Sequence, residues 1–489
     1  MPDIDWFDGD VEAAFAAARA QHKPVFLYWG ASWCPPCHQL KSTVFSRPDF
    51  IAKTRLFIPV YLDGDDAGAQ KWGEQFRATG YPTLVVLNEK REEVMRIAGG
   101  MDLGQYANVL DLALNDLQPT ANILAAAARG DALSVDQCRR LAFSGWGLEE
   151  VADQQIVSLA KSLSAAAVHC PAASTRDRAR LQIFAASYAA DAEKAALKAG
   201  KPPSAALRQQ VRQIYQQLGN PDPAAANADA LGYLDESFWQ AARKSGVPVA
   251  DFYASFAAVM DRAAINSSFA EADQLAATAS KLQAAKELTG AIDPALARQA
   301  RARVDAALAG KQIPYLRTGL INASLGIFEL LGQNEDAYRI VQGELASAQY
   351  PYYFKADLAA LAESLGRKEE AVSWSRQAYD ESQGAATRFQ WGRLYLTTLL
   401  RLQPDDTRRI QQVGQQVLGE LDGTDRIYRR ARVRLVSLDG ELRTWQKQAA
   451  QQRTPVLRAL RQRMQQTCVG IREIEPARAT CDAFLAGIT

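Results

Sequence analysis

The chain has 489 residues, too many for one hydrophobic core, and at roughly 100–200 residues per domain it should hold about three domains. Hydrophobic residues are 48% and charged residues 23%, the balance of an ordinary globular protein, and a formal net charge of +1 gives no reason to expect nucleic acid or an anionic membrane as partner. No run approaches the roughly 18 consecutive apolar residues of a membrane span. The start, Met1-Pro2-Asp3-Ile4-Asp5, lacks the basic and apolar stretches of a leader, which fits a cytoplasmic protein or a secreted one numbered without its leader.

The first hundred residues change period repeatedly. Residues 10–21 read as a helix with Asp10 as its cap, and Lys23-Pro24 ends it. Val25-Phe26-Leu27-Tyr28-Trp29 is a continuous apolar run, the pattern of a buried central strand. Cys34 to about Val44 reads as a helix, Leu56–Leu62 as a second strand and residues 66–78 as a further helix. Thr83–Leu87 and Glu92–Ile97 read as two more strands, and residues 102–115 close the segment as a helix. Helices alternating with strands predict an α/β sandwich. From about Pro119 the strand signal disappears, and a sequence rich in Ala, Leu, Gln and Arg predicts a large all-α body.

The C-terminal part of that body repeats. Leu331-Gly332-x-x-Glu335-x-Ala337 recurs as Leu365-Gly366-x-x-Glu369-x-Ala371, an offset of 34 residues, which is the tetratricopeptide period. Small residues flank the second copy: Ala359 and Ala362 before the turn, Ala371, Ser375 and Ala378 after it. A degenerate third turn falls at Gln403-Pro404-Asp405-Asp406. A non-repeating bundle is the alternative. The expected organisation is residues 1–118 as the α/β domain, 119–310 as a helical domain compatible with divergent repeats, and 311–489 as tetratricopeptide-like repeats.

Ser32-Trp33-Cys34-Pro35-Pro36-Cys37 directly follows the first strand and opens a helix. A structural zinc site needs about four ligands, and a second C-x-x-C is absent in a chain with only three histidines. Redox chemistry fits better. Spacing of i, i+3 at a helix start puts both sulfurs on one side, and the free N–H groups there stabilise a Cys34 thiolate. Cys34 is expected to be the exposed nucleophile, and the more deeply placed Cys37 the thiol that resolves a mixed disulfide. Trp33 packs beside them. Gly80-Tyr81-Pro82-Thr83 precedes the third strand. A cis Pro82 would set the Tyr81 backbone beside Cys34, where a substrate strand can pair.

Residues 4–115 resemble the thioredoxin superfamily, and in particular periplasmic thioredoxin-like domains akin to the C-terminal domain of DsbD. Lys23-Pro24-Val25, Trp33-Cys34-Pro35-Pro36-Cys37, Val44-Phe45-Ser46-Arg47-Pro48-Asp49-Phe50 and Gly80-Tyr81-Pro82-Thr83 carry the likeness. It implies the thioredoxin fold, dithiol–disulfide exchange at Cys34 and Cys37, and a cis Pro82. The family usually has a buried Asp six residues before the first cysteine; here Tyr28 stands there, a poor proton acceptor at neutral pH.

Redox direction follows from thiolate stabilisation. Pro35 and Pro36 have no N–H to offer Cys34, which leaves that of Cys37, and His38 lies just outside the motif and is read as pointing away. A reducing couple is expected: a protein thiol–disulfide oxidoreductase in redox homeostasis, with no cofactor and no metal. Its partners would be a protein thiol/disulfide client held by the helical body and an upstream electron donor. An interaction scaffold or chaperone, and a disulfide-forming oxidase or isomerase, are the rivals.

Cys138 with Cys170, and Cys468 with Cys481, are candidates for structural disulfides between neighbouring helices, against the alternative of small buried hydrophobes. An even count with local pairing favours an oxidising compartment, the bacterial periplasm, over the cytoplasm. Other features take ordinary readings. Asp63-Gly64-Asp65-Asp66 is a polar loop rather than a calcium loop, and Arg429, Arg430, Arg432 and Arg434 form a solvated helix face. His169 beside Cys170 is local packing, Asn322-Ala323-Ser324 matches a glycosylation pattern inside a helix, and Tyr350–Phe354 is core.

Overall fold

A computed structural model describes residues 3–66, 68–78, 80–146, 153–310, 314–423, 427–469, 471 and 475–488. The N-terminal part interleaves α1 (Val11–Gln21), β1 (Val25–Gly30), α2 (Pro35–Thr43), α3 (Pro48–Thr54), β2 (Ile58–Asp63), α4 (Ala69–Gln75), β3 (Thr83–Leu87), β4 (Glu93–Ile97) and α5 (Gln105–Asn115). Beyond Asn115 every element described is a helix, and the described residues hold 26 helices in all.

Local chemistry sets several of these boundaries. Asp10 caps α1 by accepting the Ala13 N–H at 2.7 Å. The helix ends at His22, whose left-handed φ of 52° turns the chain toward Lys23-Pro24. The second helix after the cysteines, α3, was not foreseen in the sequence; Pro48 occupies its first turn with Asp49 behind it, both favourable at a helix start.

The sheet has the order β2-β1-β3-β4. Ile58 N donates to Pro24 O and Gly64 N to Gly30 O, so β1 and β2 advance in the same direction. β3 and β4 are antiparallel, with Leu84 opposite Ile97 and a register irregularity between Val86 and Leu87. β1 is buried throughout, as an inner strand covered on both faces must be. Phe26 and Tyr28 share one face and join Trp6, Phe45, Phe50, Phe57 and Tyr61 in an aromatic core.

The chain forms two compact units. The first comprises Met1–Tyr28, Pro35–Tyr61 and Pro82–Gly332; the second comprises Trp29–Cys34, Leu62–Tyr81 and Gln333–Thr489. In the first unit a disulfide joins Cys138 on the Val135–Ala142 helix to Cys170, just past the Asp153–His169 helix, with Cα atoms 5.6 Å apart. In the second, Cys468 and Cys481 join the last two helices, Cα atoms 6.1 Å apart. The 34-residue sequence repeat corresponds to helix–turn–helix segments that turn at Gly332 (φ 67°) and Gly366 (φ 74°), a left-handed conformation that favours glycine. Ala359 and Ala362 on one helix and Ala371, Ser375 and Ala378 on the next are buried, small enough to let the pair pack closely.

The first unit also encloses an ion pair. The Arg180 side chain has no exposure and Asp229 only 5%. Arg180 gives Asp229 two parallel bonds, Nη1 to Oδ1 at 2.6 Å and Nη2 to Oδ2 at 2.5 Å, while its Nε donates to Ala142 O at 2.7 Å. Its guanidinium lies over Phe143, 4.6 Å from the ring centre. Removing one partner strands a buried charge. Replacing Arg180 with Met should therefore cost about 3–5 kcal/mol of stability, read as a lower urea midpoint of the first unit's helices; an unchanged midpoint would show the pair is not holding them together.

Candidate functional site

Cys34 is the last residue before α2, and its N–H donates to Ala31 O at 3.2 Å. Cys34 and Cys37 are both disulfide-bonded, and no free cysteine remains. Pro35 is buried and Pro36 exposed, as the first two residues of α2. The sequence led us to expect an exposed Cys34. Instead it is 3% exposed and Cys37 is fully buried. His38 is buried too, 5% exposed. Tyr28 lies inside the aromatic core, stacked on Tyr61 at 5.1 Å, with the Lys41 ammonium 5.7 Å from its ring centre.

Trp33 is 6% exposed, held by polar and aromatic neighbours of the second unit. Its indole N–H is shared between Asp65 Oδ2 at 3.1 Å and Thr387 Oγ1 at 2.8 Å. Tyr81 meets it edge-on at 5.8 Å, Trp391 at 5.9 Å, and Tyr353 lies at 6.0 Å. Asp65 reaches this position because Asp63 shapes the loop. One Asp63 oxygen accepts the Asp65 N–H at 3.1 Å and the other accepts the Ser32 N–H at 3.0 Å, tying the loop after β2 to the segment before the cysteines. The loop read as merely polar thus carries two organising carboxylates. Sequence reasoning missed both, although a carboxylate-rich turn directly after a strand is the signal that was there.

Tyr81 and Pro82, just before β3, are both half-buried. The Tyr81 hydroxyl receives a bond from Gln70 Nε2 at 3.0 Å and sits where a side chain on Gly64 would be, so that glycine is required for the approach. The Arg430 guanidinium covers the Tyr81 ring at 4.1 Å. Arg432 clamps Glu74 with both terminal nitrogens, and Glu74 also accepts the Arg429 N–H at 2.6 Å. Burial opposes the Glu74 charge, but these arginine bonds hold its carboxyl below the usual range. The basic run is therefore no solvated face: Arg430 is 6% exposed, Arg429, Arg430 and Arg432 meet the Leu62–Tyr81 segment, and Arg434 bonds Arg430 O and Gln390. The aromatic run at the start of the Pro351–Ser364 helix divides its work, Tyr352 and Phe354 being buried while Tyr353 turns to Trp33.

Residues 11–114 match the family described as a thioredoxin-like domain. Residues 11–114 are a thioredoxin-like domain. Over 101 residues the chain is 28% identical to the thiol:disulfide interchange protein DsbD 2 of Pseudomonas aeruginosa. The aligned stretch is 20% of this chain and 17% of that protein, so the chain spans about a sixth of the relative's length. No solved structure matches the chain. Among the described residues no three His, Cys, Asp or Glu side chains gather to hold a metal ion, and no helix is long and apolar enough to cross a membrane.

Two partly buried acids, one in each unit, have carboxyls pushed up from the ordinary range. In the first, Gln39 of α2 donates to Asp273 Oδ2 at 3.1 Å, and burial pushes that carboxyl up to about 7. In the second, Asp357 follows Tyr353 by one helical turn; its Oδ2 is sealed from solvent, and burial alone raises it to about 7. Unfolded, Asp357 would ionise near 4. Between those values the folded chain binds more protons, so the stability attached to Asp357 is complete below about pH 4 and is lost as pH rises through about 7. D357N should leave the melting temperature unchanged near pH 4 and raise it progressively up to pH 7, by no more than about 4 kcal/mol in stability. A gain that is the same at every pH would show that Asp357 ionises normally.

Proposed function

We propose that the chain is a thiol–disulfide oxidoreductase that reduces disulfides in protein clients through Cys34 and Cys37. The observation that carries this reading is the bonded Cys34–Cys37 pair at the start of α2, directly behind a buried strand, in a domain that matches the thioredoxin-like family. In the reduced enzyme the Cys34 thiolate attacks one client sulfur; that S–S bond breaks and the other client sulfur leaves as a thiolate. The Cys37 thiolate then attacks Cys34 Sγ, the mixed disulfide breaks, and the client's second thiol is released. Two electrons have passed to the client, and an upstream dithiol donor must return them. The prolines at positions 35 and 36 withhold two N–H groups from the Cys34 thiolate, which favours a reducing couple.

The helical body takes the role of client holder in this reading. Its 34-residue sequence repeat has the tetratricopeptide period, and arrays of that kind present extended binding surfaces. The Cys138–Cys170 and Cys468–Cys481 bonds support an oxidising compartment, in keeping with the periplasm. A scaffold function is favoured by one observation, the 3% exposure of Cys34, which requires neighbouring side chains to yield before a client sulfur arrives.

The deciding measurement is the Cys34–Cys37 reduction potential of the full chain, read by mass spectrometry after equilibration with dithiothreitol or glutathione. We expect a reversible couple near or below about −230 mV, and loss of insulin-disulfide reduction in C34S. A potential near about −120 mV, that of a strong oxidant, would reverse the direction, and no reversible couple would leave the scaffold.

A further inference from the structure

We propose that Thr387 is a positioning residue of the redox site, its hydroxyl fixing the Trp33 indole beside Cys34. The inference rests on the oxidoreductase reading above. Thr387 lies 354 residues after Trp33, in the first turn of the Ala385–Leu402 helix, and has no solvent exposure. Its hydroxyl bonds in both senses: Oγ1 accepts the Trp33 indole N–H at 2.8 Å and donates to Asp65 Oδ2 at 2.5 Å. Its backbone N–H donates to Asp65 Oδ1 at 3.0 Å.

Asp65 therefore caps this helix from outside it. The helix's own cap residue, Gly384, offers no side-chain bond, and its φ of 80° suits glycine. A Cβ on Gly384 would stand 2.3 Å from Asp65 Cγ, so any other residue would push the carboxylate off the helix start. Unpaired N–H groups and the dipole there favour the negative charge. One turn further along the same helix face, Trp391 packs edge-on against Trp33. The helix thus supplies a hydrogen bond and a wall to the side chain whose peptide group leads directly into Cys34. Fixing that ring fixes the approach to the sulfur and the polarity around it, on which thiolate formation depends.

The test uses the full-length protein as wild type, T387V, T387S, W33F and the T387V/W33F double variant. Circular dichroism and melting curves check folding. The pH profile of Cys34 alkylation in the reduced protein and the rate of insulin-disulfide reduction read the site. T387V keeps the side chain's shape and removes the hydroxyl; it should slow disulfide reduction about tenfold and displace the alkylation profile, T387S should restore both, and T387V should add nothing on the W33F background. Wild-type behaviour of T387V, or effects of T387V and W33F that simply multiply, would overturn the role. Either result with an active wild type sinks this inference alone, whereas a wild type without a reversible Cys34–Cys37 couple sinks the oxidoreductase reading itself.

Discussion

A carboxylate has two oxygens and room for about four donors, and Asp65 fills three of those places from two distant stretches of chain. The Trp33 indole comes from the segment before the cysteines, and the Thr387 hydroxyl and N–H come from a helix start more than 300 residues later. Burying such a group is costly unless it is bonded, and each of these bonds is to a group that would itself be costly to leave unmet. Asp63 shapes the loop, and Gly384 leaves the space at the helix start that Asp65 occupies.

The same economy governs the charges around Tyr81. An arginine-rich helix would ordinarily turn its guanidinium groups to water. Here Arg430 lies on an aromatic face and Arg432 closes on Glu74, so the positive charge is spent inside the unit. The redox segment is consequently surrounded by side chains that are bonded in pairs, with little freedom to rearrange one at a time.

What the sequence made legible was local. The run Val25–Trp29 announced a buried strand, and Cys34 and Cys37 at the following helix start announced the chemistry, because both signals occupy a few adjacent residues. The α3 helix escaped because it is seven residues long with no side-chain cap, too short to show a period. Thr387 and Gly384 carried no signal at all: a threonine in the first turn of a helix is commonplace, and its meaning comes from a loop 322 residues away. The burial of Cys34 and Arg430 was illegible for the same reason, since periodicity shows that a helix has a face and not what will lie against it.

The discontinuous second unit bears on the order in which the chain can be built during synthesis. A thioredoxin-like domain at the N-terminus would ordinarily finish folding while the rest of the protein was still being translated. In this chain Trp29–Cys34 and Leu62–Tyr81 belong to a unit whose remainder begins at Gln333, so their partners leave the ribosome last. Until then Trp33 lacks Tyr353, Thr387 and Trp391, and Asp65 lacks the start of the Ala385–Leu402 helix. The segment that leads into Cys34 is therefore among the last parts of the domain to gain its full set of neighbours.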